Sequence, residues 1–240
     1  MTAGSPSRPA PAVARRFYQR VAVEPAADGF AVVLDGRPIR TPARARLVVP
    51  LAPVAERIAD EWRGQGERID PATMPATRLA NSALDGVAAR TREVTDEIVG
   101  FAGSDLLFYR AAAPEGLVAR QAALWDPILA EAERALAVRF ILAEGVMPVD
   151  QSAPALAAVR RAVPPEPFTL AGVHVLTTLT GSALIALAVH RRALPLDAAW
   201  AAAHVDEDWN IALWGEDAEA AARRARRHRD AEAAALFAAG

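Results

Sequence analysis

The 240-residue sequence has no cysteine and no lysine, and only 6% of its residues are aromatic. Without cysteine, the chain cannot form a disulfide, a thiolate nucleophile or a Cys-ligated zinc or iron–sulfur site. All basic side chains are arginines, which together with the abundant alanine is typical of a GC-rich bacterial genome. The net charge of −2 gives no global positive field that would attract nucleic acid or anionic lipid.

Long apolar runs are equally scarce. Residues 1–16 are rich in Pro, Ala and Ser and lack the apolar stretch of a secretory signal, so we interpret them as a disordered lead-in of a bacterial cytoplasmic protein. The only candidate for a membrane span is the apolar run from Thr169 to Val189, which contains no Asp, Glu or Arg. It contains His174, five hydroxyl side chains and two glycines, and this polar content favours a buried helix over a bilayer span. We therefore expect a soluble protein.

The hydrophobic period changes once along the chain. Between Phe17 and Val49 it is that of strands, and Asp35-Gly36 separates two such runs, which is a strong signal for a hairpin. From Leu51 onward the period is that of helices. The prediction is an α+β fold, with a small antiparallel β N-terminal domain followed by a larger all-α C-terminal domain. We place the disordered lead-in at residues 1–16, the β domain at 17–50 and the α-helical domain at 51–240.

Several helices can be placed individually. A long one is predicted from Pro114 to Val138, with Pro127 beginning its second half or kinking it. Others are predicted over the apolar run, from Leu196 to Leu213 and from Glu216 to Phe237. Trp62 and Trp125 are interpreted as core or interdomain packing residues.

Common catalytic signatures are missing from the sequence. There is no phosphate-binding loop, dinucleotide-binding glycine turn, Gly-x-Ser-x-Gly elbow or His-Glu-x-x-His motif. The histidines do not occur at a ligand spacing with one another, and we interpret all four as structural or solvated: His174, His190, His204 and His228. No metal site and no cofactor is expected.

The densest acidic cluster is Asp206, Glu207 and Asp208. Consecutive side chains of a helix point about 100° apart, so these carboxylates cannot converge on one metal ion unaided. One helical stripe combines Glu207 with apolar and aromatic neighbours, namely Trp200, His204, Ile211 and Trp214. A carboxylate in such a stripe either pairs with an internal arginine at the rim of the core or marks a recognition surface.

The last helix carries a run of arginines between Arg223 and Arg229. Glu219 precedes Arg223 by four residues, other carboxylates bracket the run, and no aromatic side chain is interleaved for stacking on bases. The pattern favours a solvated amphipathic face over a nucleic-acid site.

Several segments together resemble the chaperones that hold the free α subunit of the F-type ATP synthase catalytic head until it pairs with β. They follow the family's order and cover nearly everything after residue 16. The segments are Leu34 to Pro42, Glu61-Trp62, Met74-Pro75 with Leu79, Asn81, Ser82 and Leu84-Asp85, Asp105 to Arg110, Leu117-Val118 with Gln121, Trp125-Asp126-Pro127, and Val205 to Gly215. Relatives favour Glu where this chain has Asp206 and Asp208, and often have Tyr in place of Trp209.

The resemblance implies a β N-terminal domain, a helical C-terminal domain, no cofactor and no catalysis. It also implies an acidic partner-binding segment before the closing Trp-Gly, which here comprises Asp206, Glu207, Asp208, Trp209 and Trp214. The expected partner is the α subunit of the catalytic head, with no nucleic acid and no membrane, and the free protein is expected to be a monomer. Two alternatives stay open: a hydrolase that uses the acidic cluster, and a nucleic-acid-associated protein that uses the arginine helix.

Overall fold

The computed structural model describes residues 14–145 and 149–240. Most of the predicted lead-in therefore lies outside the described residues. Its last three residues, Ala14 to Arg16, run alongside residues 67–69, with backbone hydrogen bonds from Arg16 N to Glu67 O and from Ile69 N to Ala14 O, both 2.9 Å.

A four-stranded antiparallel sheet forms the first layer. Its strands are β1 (Val21–Ala26), β2 (Gly29–Leu34), β3 (Arg37–Pro38) and β4 (Val48–Val49). The central strand β2 pairs with β1 on one side and with both β3 and β4 on the other. The predicted hairpin at Asp35-Gly36 is confirmed: both residues have positive φ, 49° and 78°, as the tight turn between β2 and β3 requires. Gly29 lets β2 approach β4 closely, since a Cβ there would lie 2.2 Å from Val49 O.

Ten helices follow in the described part of the chain. They are α1 (Ala52–Arg63), α2 (Pro75–Asp85), α3 (Thr91–Gly103), α4 (Glu115–Leu136), α5 (Ala153–Ala162), α6 (Pro167–Thr180), α7 (Ala183–His190), α8 (Leu196–Ala203), α9 (Val205–Trp214) and α10 (Ala218–Ala238). Short 3₁₀ turns occupy Pro71–Thr73, Val87–Ala89 and Leu106–Phe108, and a two-residue parallel ladder joins β5 (Tyr109–Arg110) to β6 (Ala143–Glu144). The α+β prediction, with the sheet first and the helices after it, is confirmed.

The helical layer is built around α6 and α7. Every residue of α7 from Ala183 to Val189 is buried, and α6 packs against α2, α3, α7 and α10. A Cβ on Gly172 would lie 2.6 Å from Ala238 N, so this glycine sets the close approach of α6 and α10. The helix α1 packs on β1 and β2 and joins the sheet to this core.

Two sequence predictions of single helices were wrong. The apolar run forms α6 and α7, because Gly181 ends α6 with a φ of 69° and the Ser182 hydroxyl caps α7 by accepting from Ile185 N. The segment from Leu196 onward forms α8 and α9, which meet at His204. The prediction of the long helix is confirmed as α4, which continues through Pro127. No helix of the described residues is long and apolar enough to cross a membrane.

Two buried carboxylates tie helix starts to their neighbours. Glu61, 8% exposed, accepts hydrogen bonds from Ala76 N, Thr77 N and the Thr77 hydroxyl at 2.7 to 2.8 Å, and so caps α2 from α1. Burial raises the pKa of Glu61. Asp105 is fully buried and accepts from Leu107 N and Leu184 N, so it holds the start of α7, and burial raises its pKa to about 6.

Candidate functional site

The acidic segment of the sequence forms the first turn of α9. The break before it is made by His204, whose ring packs on Trp200 with a centroid distance of 4.0 Å and whose Nδ1 lies 2.8 Å from Trp200 O. Both side chains are buried, at 6% and 7% exposure, and burial lowers the pKa of His204. The predicted stripe is therefore divided: Trp200 and His204 belong to the core, whereas Glu207, Ile211 and Trp214 lie on α9.

Asp206 is tied to the long helix α4. Its Oδ1 accepts a 2.7 Å hydrogen bond from Gln121 Nε2, and Gln121 Oε1 accepts from Ala111 N at 2.8 Å. Gln121 is only 2% exposed, so this amide bridges the loop before α4 to the start of α9. The carboxylate of Asp206 is thus used within the protein.

Asp208 is tied to the last helix. It forms a hydrogen-bonded ion pair with Arg224 of α10, which raises the pKa of the Arg224 guanidinium. Two other arginines of the run also have partners within the protein: Arg223 lies 3.7 Å from Glu219, and Arg227 donates a 2.8 Å hydrogen bond to Leu179 O.

Trp209 docks α9 onto α4. Its ring covers Gly116 so closely that an ideal Cβ on Gly116 would lie 2.6 Å from Trp209 Cη2. The guanidinium of Arg120 lies 5.9 Å from the ring centroid, within the range of a cation–π contact. Gly116 was not singled out from the sequence, because nothing in its local pattern indicates that an aromatic ring from residue 209 needs the space.

Trp125 of α4 contacts the end of α8, next to the place where α9 packs on α4. It is fully buried, donates from Nε1 to Ala202 O at 2.8 Å, and lies under the guanidinium of Arg110. Trp62 lies beside Tyr18, and its carbonyl accepts a 2.7 Å hydrogen bond from the Tyr18 hydroxyl. Its indole Nε1 is buried and has no hydrogen-bond partner among the described residues.

Glu207 differs from its two acidic neighbours. Within residues 14–145 and 149–240 its carboxylate takes part in no hydrogen bond or ion pair, although the side chain is only partly exposed. It borders an open groove of about 490 Å³ between α9 and α10, together with Ile211, Trp214 and Glu216. Trp214 is 84% exposed, and Leu213, its neighbour in the chain, is 55% exposed. A carboxylate with no hydrogen bond or ion pair among the described residues thus borders the same groove as the exposed Trp214.

The four histidines occupy separate positions. His174 Nε2 lies 2.8 Å from Glu97, His190 Nδ1 lies 2.6 Å from Ala238 O, and His228 Nδ1 lies 3.6 Å from Glu232. In the part of the chain that the structure describes, no group of three or more His, Asp or Glu is arranged to hold a metal ion.

Comparison with known proteins places this architecture among chaperones. Residues 15–133 match the family model described as ATP12 chaperone protein. Among solved structures, the protein Atu1473 of Agrobacterium tumefaciens is 45% identical with a TM-score of 0.89, and the match covers 97% of this chain and 91% of that one. Atp12 from Paracoccus denitrificans is 40% identical with a TM-score of 0.85, covering 94% and 97% of the two chains.

A mutant of the same Paracoccus protein gives a TM-score of 0.84 at 39% identity, covering 93% of this chain and 96% of that one. This chain belongs to the ATP12 chaperone family.

Proposed function

We propose that the protein is an assembly chaperone that binds the unassembled α subunit of the F-type ATP synthase catalytic head. It shields the surface that α buries against β and releases α when the two subunits pair. It acts by binding and not by catalysis. Membership of the ATP12 chaperone family supports this proposal, and so does the surface of α9.

The observation that carries the proposal is the exposed patch on the surface of α9 where Glu207 and Trp214 border one groove. Trp214 is 84% exposed and Leu213 is 55% exposed, so both keep apolar surface in contact with water. Covering that surface with a partner would stabilise the complex. Tryptophan is also one of the residue types enriched in binding hot spots. With Asp206 and Asp208 engaged inside the protein, Glu207 is the member of the acidic cluster that is left to meet a partner.

The chemistry of the patch suggests what it contacts. A carboxylate beside apolar side chains fits an arginine that is flanked by apolar surface, because the guanidinium binds the carboxylate in a forked geometry while its stem covers the ring. The α subunit exposes such apolar surface before it meets β, and we propose that the patch imitates part of what β presents. An interface of this kind is smaller than the obligate one, so β displaces the chaperone by mass action.

The experiment is co-expression of the protein with the α subunit, alone and together with β, followed by size-exclusion chromatography. We expect a one-to-one complex with α that disappears when β is supplied. An α subunit that stays insoluble, with no complex formed, would contradict the proposed function.

A pair of acid-to-amide variants then tests the patch. Glu207→Gln keeps the shape of the side chain but removes its charge, and we expect binding to α to weaken by about tenfold or more. The control is Glu144→Gln on β6, an exposed glutamate that likewise takes part in no ion pair among the described residues. Equal affinity of Glu207→Gln and wild type would exclude Glu207 from the interface.

A further inference from the structure

The β domain carries a concentration of positive charge that the rest of the chain does not share. Residues 17–50 contain five arginines and three carboxylates, whereas the whole chain has a net charge of −2. Every arginine that forms an ion pair in the described part of the chain lies at or after Arg57. The arginines of the β domain therefore keep their charge available to a partner.

The one carboxylate beside the β2–β3 turn is already engaged. Asp35 accepts hydrogen bonds from Arg20 N at 2.8 Å and from Gln19 N at 3.1 Å, and these bonds lower the pKa of Asp35. The guanidinium of Arg40 donates to Arg44 O and the guanidinium of Arg37 has no hydrogen-bond partner among the described residues. Both arginines are exposed.

These two arginines border a groove of about 550 Å³ between the sheet and the end of α1. Its apolar wall is made by Phe17, Leu34, Ile39 and Trp62. Phe17 is 73% exposed, which makes it the most exposed phenylalanine side chain of the described residues. The groove thus combines an apolar wall with a basic rim.

The arrangement of the aromatic rings in the groove favours binding of an aliphatic side chain over stacking of a nucleotide base. Tyr18 is only 4% exposed, and both Phe17 and Trp62 meet its ring edge-on, with centroids at 5.4 and 5.6 Å. Stacking of bases requires open ring faces in series along a basic track. Here Phe17 and Trp62 both contact Tyr18, and the side chains of Leu34 and Ile39 complete the wall.

We propose that this groove is a second binding surface that takes an extended segment of the client protein in which carboxylates flank a large apolar side chain. The carboxylates meet Arg37 and Arg40, and the apolar side chain packs against Phe17 and Trp62. The identity of the client rests on the proposed function, but the chemistry of the groove can be tested without it.

The test is fluorescence anisotropy of the full-length protein with a labelled heptapeptide that alternates Glu or Asp with Leu and Phe. A second peptide replaces each acid by its amide. We expect the acidic peptide to bind at least about tenfold more tightly than the amide peptide, with affinity that falls as salt rises. The double variant Arg37→Glu, Arg40→Glu should abolish that preference, and Arg37→Gln, Arg40→Gln should reduce it without introducing a negative charge.

The matched control is Arg92→Glu on α3, an exposed arginine outside the groove that forms no ion pair among the described residues. It should bind the acidic peptide as wild type does. Equal binding of the two peptides, or unchanged binding by both groove variants, would overturn the inference. Displacement of the acidic peptide by a dT15 oligonucleotide at a similar concentration would also overturn it, since the groove would then be a nucleic-acid site.

The same variants separate this inference from the proposed function. If wild type binds the acidic peptide but forms no complex with the α subunit, the groove stands and the choice of client is wrong. If the α complex forms and both groove variants bind α and the peptide normally, the proposed function stands and the groove is not a binding surface.

Discussion

The contact between Gly116 and Trp209 gives a sharp prediction about how α9 is positioned. Gly116 lies in the first turn of α4, and a Cβ added there would lie 2.6 Å from Trp209 Cη2 and 3.1 Å from Cζ3. No Cβ tolerates such distances, so Gly116→Ala forces the ring of Trp209 to move and weakens the contact through which α9 docks on α4. Overpacking of this kind costs about 1–3 kcal/mol.

Two effects oppose each other in this variant. Alanine is favoured over glycine by about 1 kcal/mol inside a helix, and by less in the first turn. The net expectation is a loss of roughly 1–2 kcal/mol in the free energy of unfolding. Because α9 carries Glu207 and Trp214, the affinity for the client should fall as well.

The assay is urea unfolding at 25 °C, with Gly100→Ala as the control. Gly100 lies inside α3 with no heavy atom within 4 Å of an added Cβ, so its substitution should stabilise the protein by up to about 1 kcal/mol. In a Trp209→Leu background the ring is gone, and Gly116→Ala should then be neutral or stabilising. A coupling of at least about 1 kcal/mol between the two sites is expected.

The double-mutant cycle has one outcome that would contradict the role of the Trp209 ring. If Gly116→Ala costs the same free energy with Trp209 and with Leu at position 209, the ring does not determine how α9 sits on α4. The loss would then come from the backbone of α4 itself.

Three further outcomes are expected. Trp214→Ser should leave the free energy of unfolding within about 0.5 kcal/mol of wild type, since the side chain is 84% exposed. It should nevertheless weaken client binding by about tenfold or more. If stability and client binding fall together, the loss of binding does not show an interface role for Trp214. Glu61→Ala should lower the free energy of unfolding by roughly 2–4 kcal/mol, because two backbone N–H groups and the Thr77 hydroxyl lose their acceptor. Thermal unfolding measures the loss, and a midpoint that shifts by under about one degree would contradict the capping role of Glu61. For Asp105, the folded pKa of about 6 lies above the ordinary 3.8, so its contribution to stability is full below about pH 4 and falls by roughly 3 kcal/mol as the pH rises through 6. Urea unfolding of wild type and Asp105→Asn between pH 4 and 7 measures this difference, and parallel pH profiles would rule it out.

Local chemistry made much of the fold predictable. Asp35-Gly36 is a turn signal because only a few residues adopt positive φ at both central positions, and the turn forms where it was predicted. The period of Val54, Ile58 and Trp62 predicts α1, and Gly64 caps it. Such signals are read within a few residues of the chain, so no tertiary contact is needed to find them.

The two helix breaks differ in this respect. Gly181 is a signal for a helix end and Ser182 a signal for a helix start, so the sequence contains the division between α6 and α7. The length of the apolar run masks these signals, because the whole run has the composition of one buried helix. The break at His204 has no such local signal. It follows from tertiary packing, because Trp125 holds the carbonyl of Ala202 while Trp209 docks on Gly116.

The sequence by itself determined the order of sheet and helices, the family resemblance and the location of the acidic segment at residues 206–208. Only the tertiary structure decided what each carboxylate does. Neighbouring side chains of a helix point about 100° apart, so their surroundings depend on which helices pack on each side. With α4 supplying Gln121 to Asp206 and α10 supplying Arg224 to Asp208, Glu207 is the one of these three carboxylates that borders the open groove. No pattern in residues 206–208 alone contains that information.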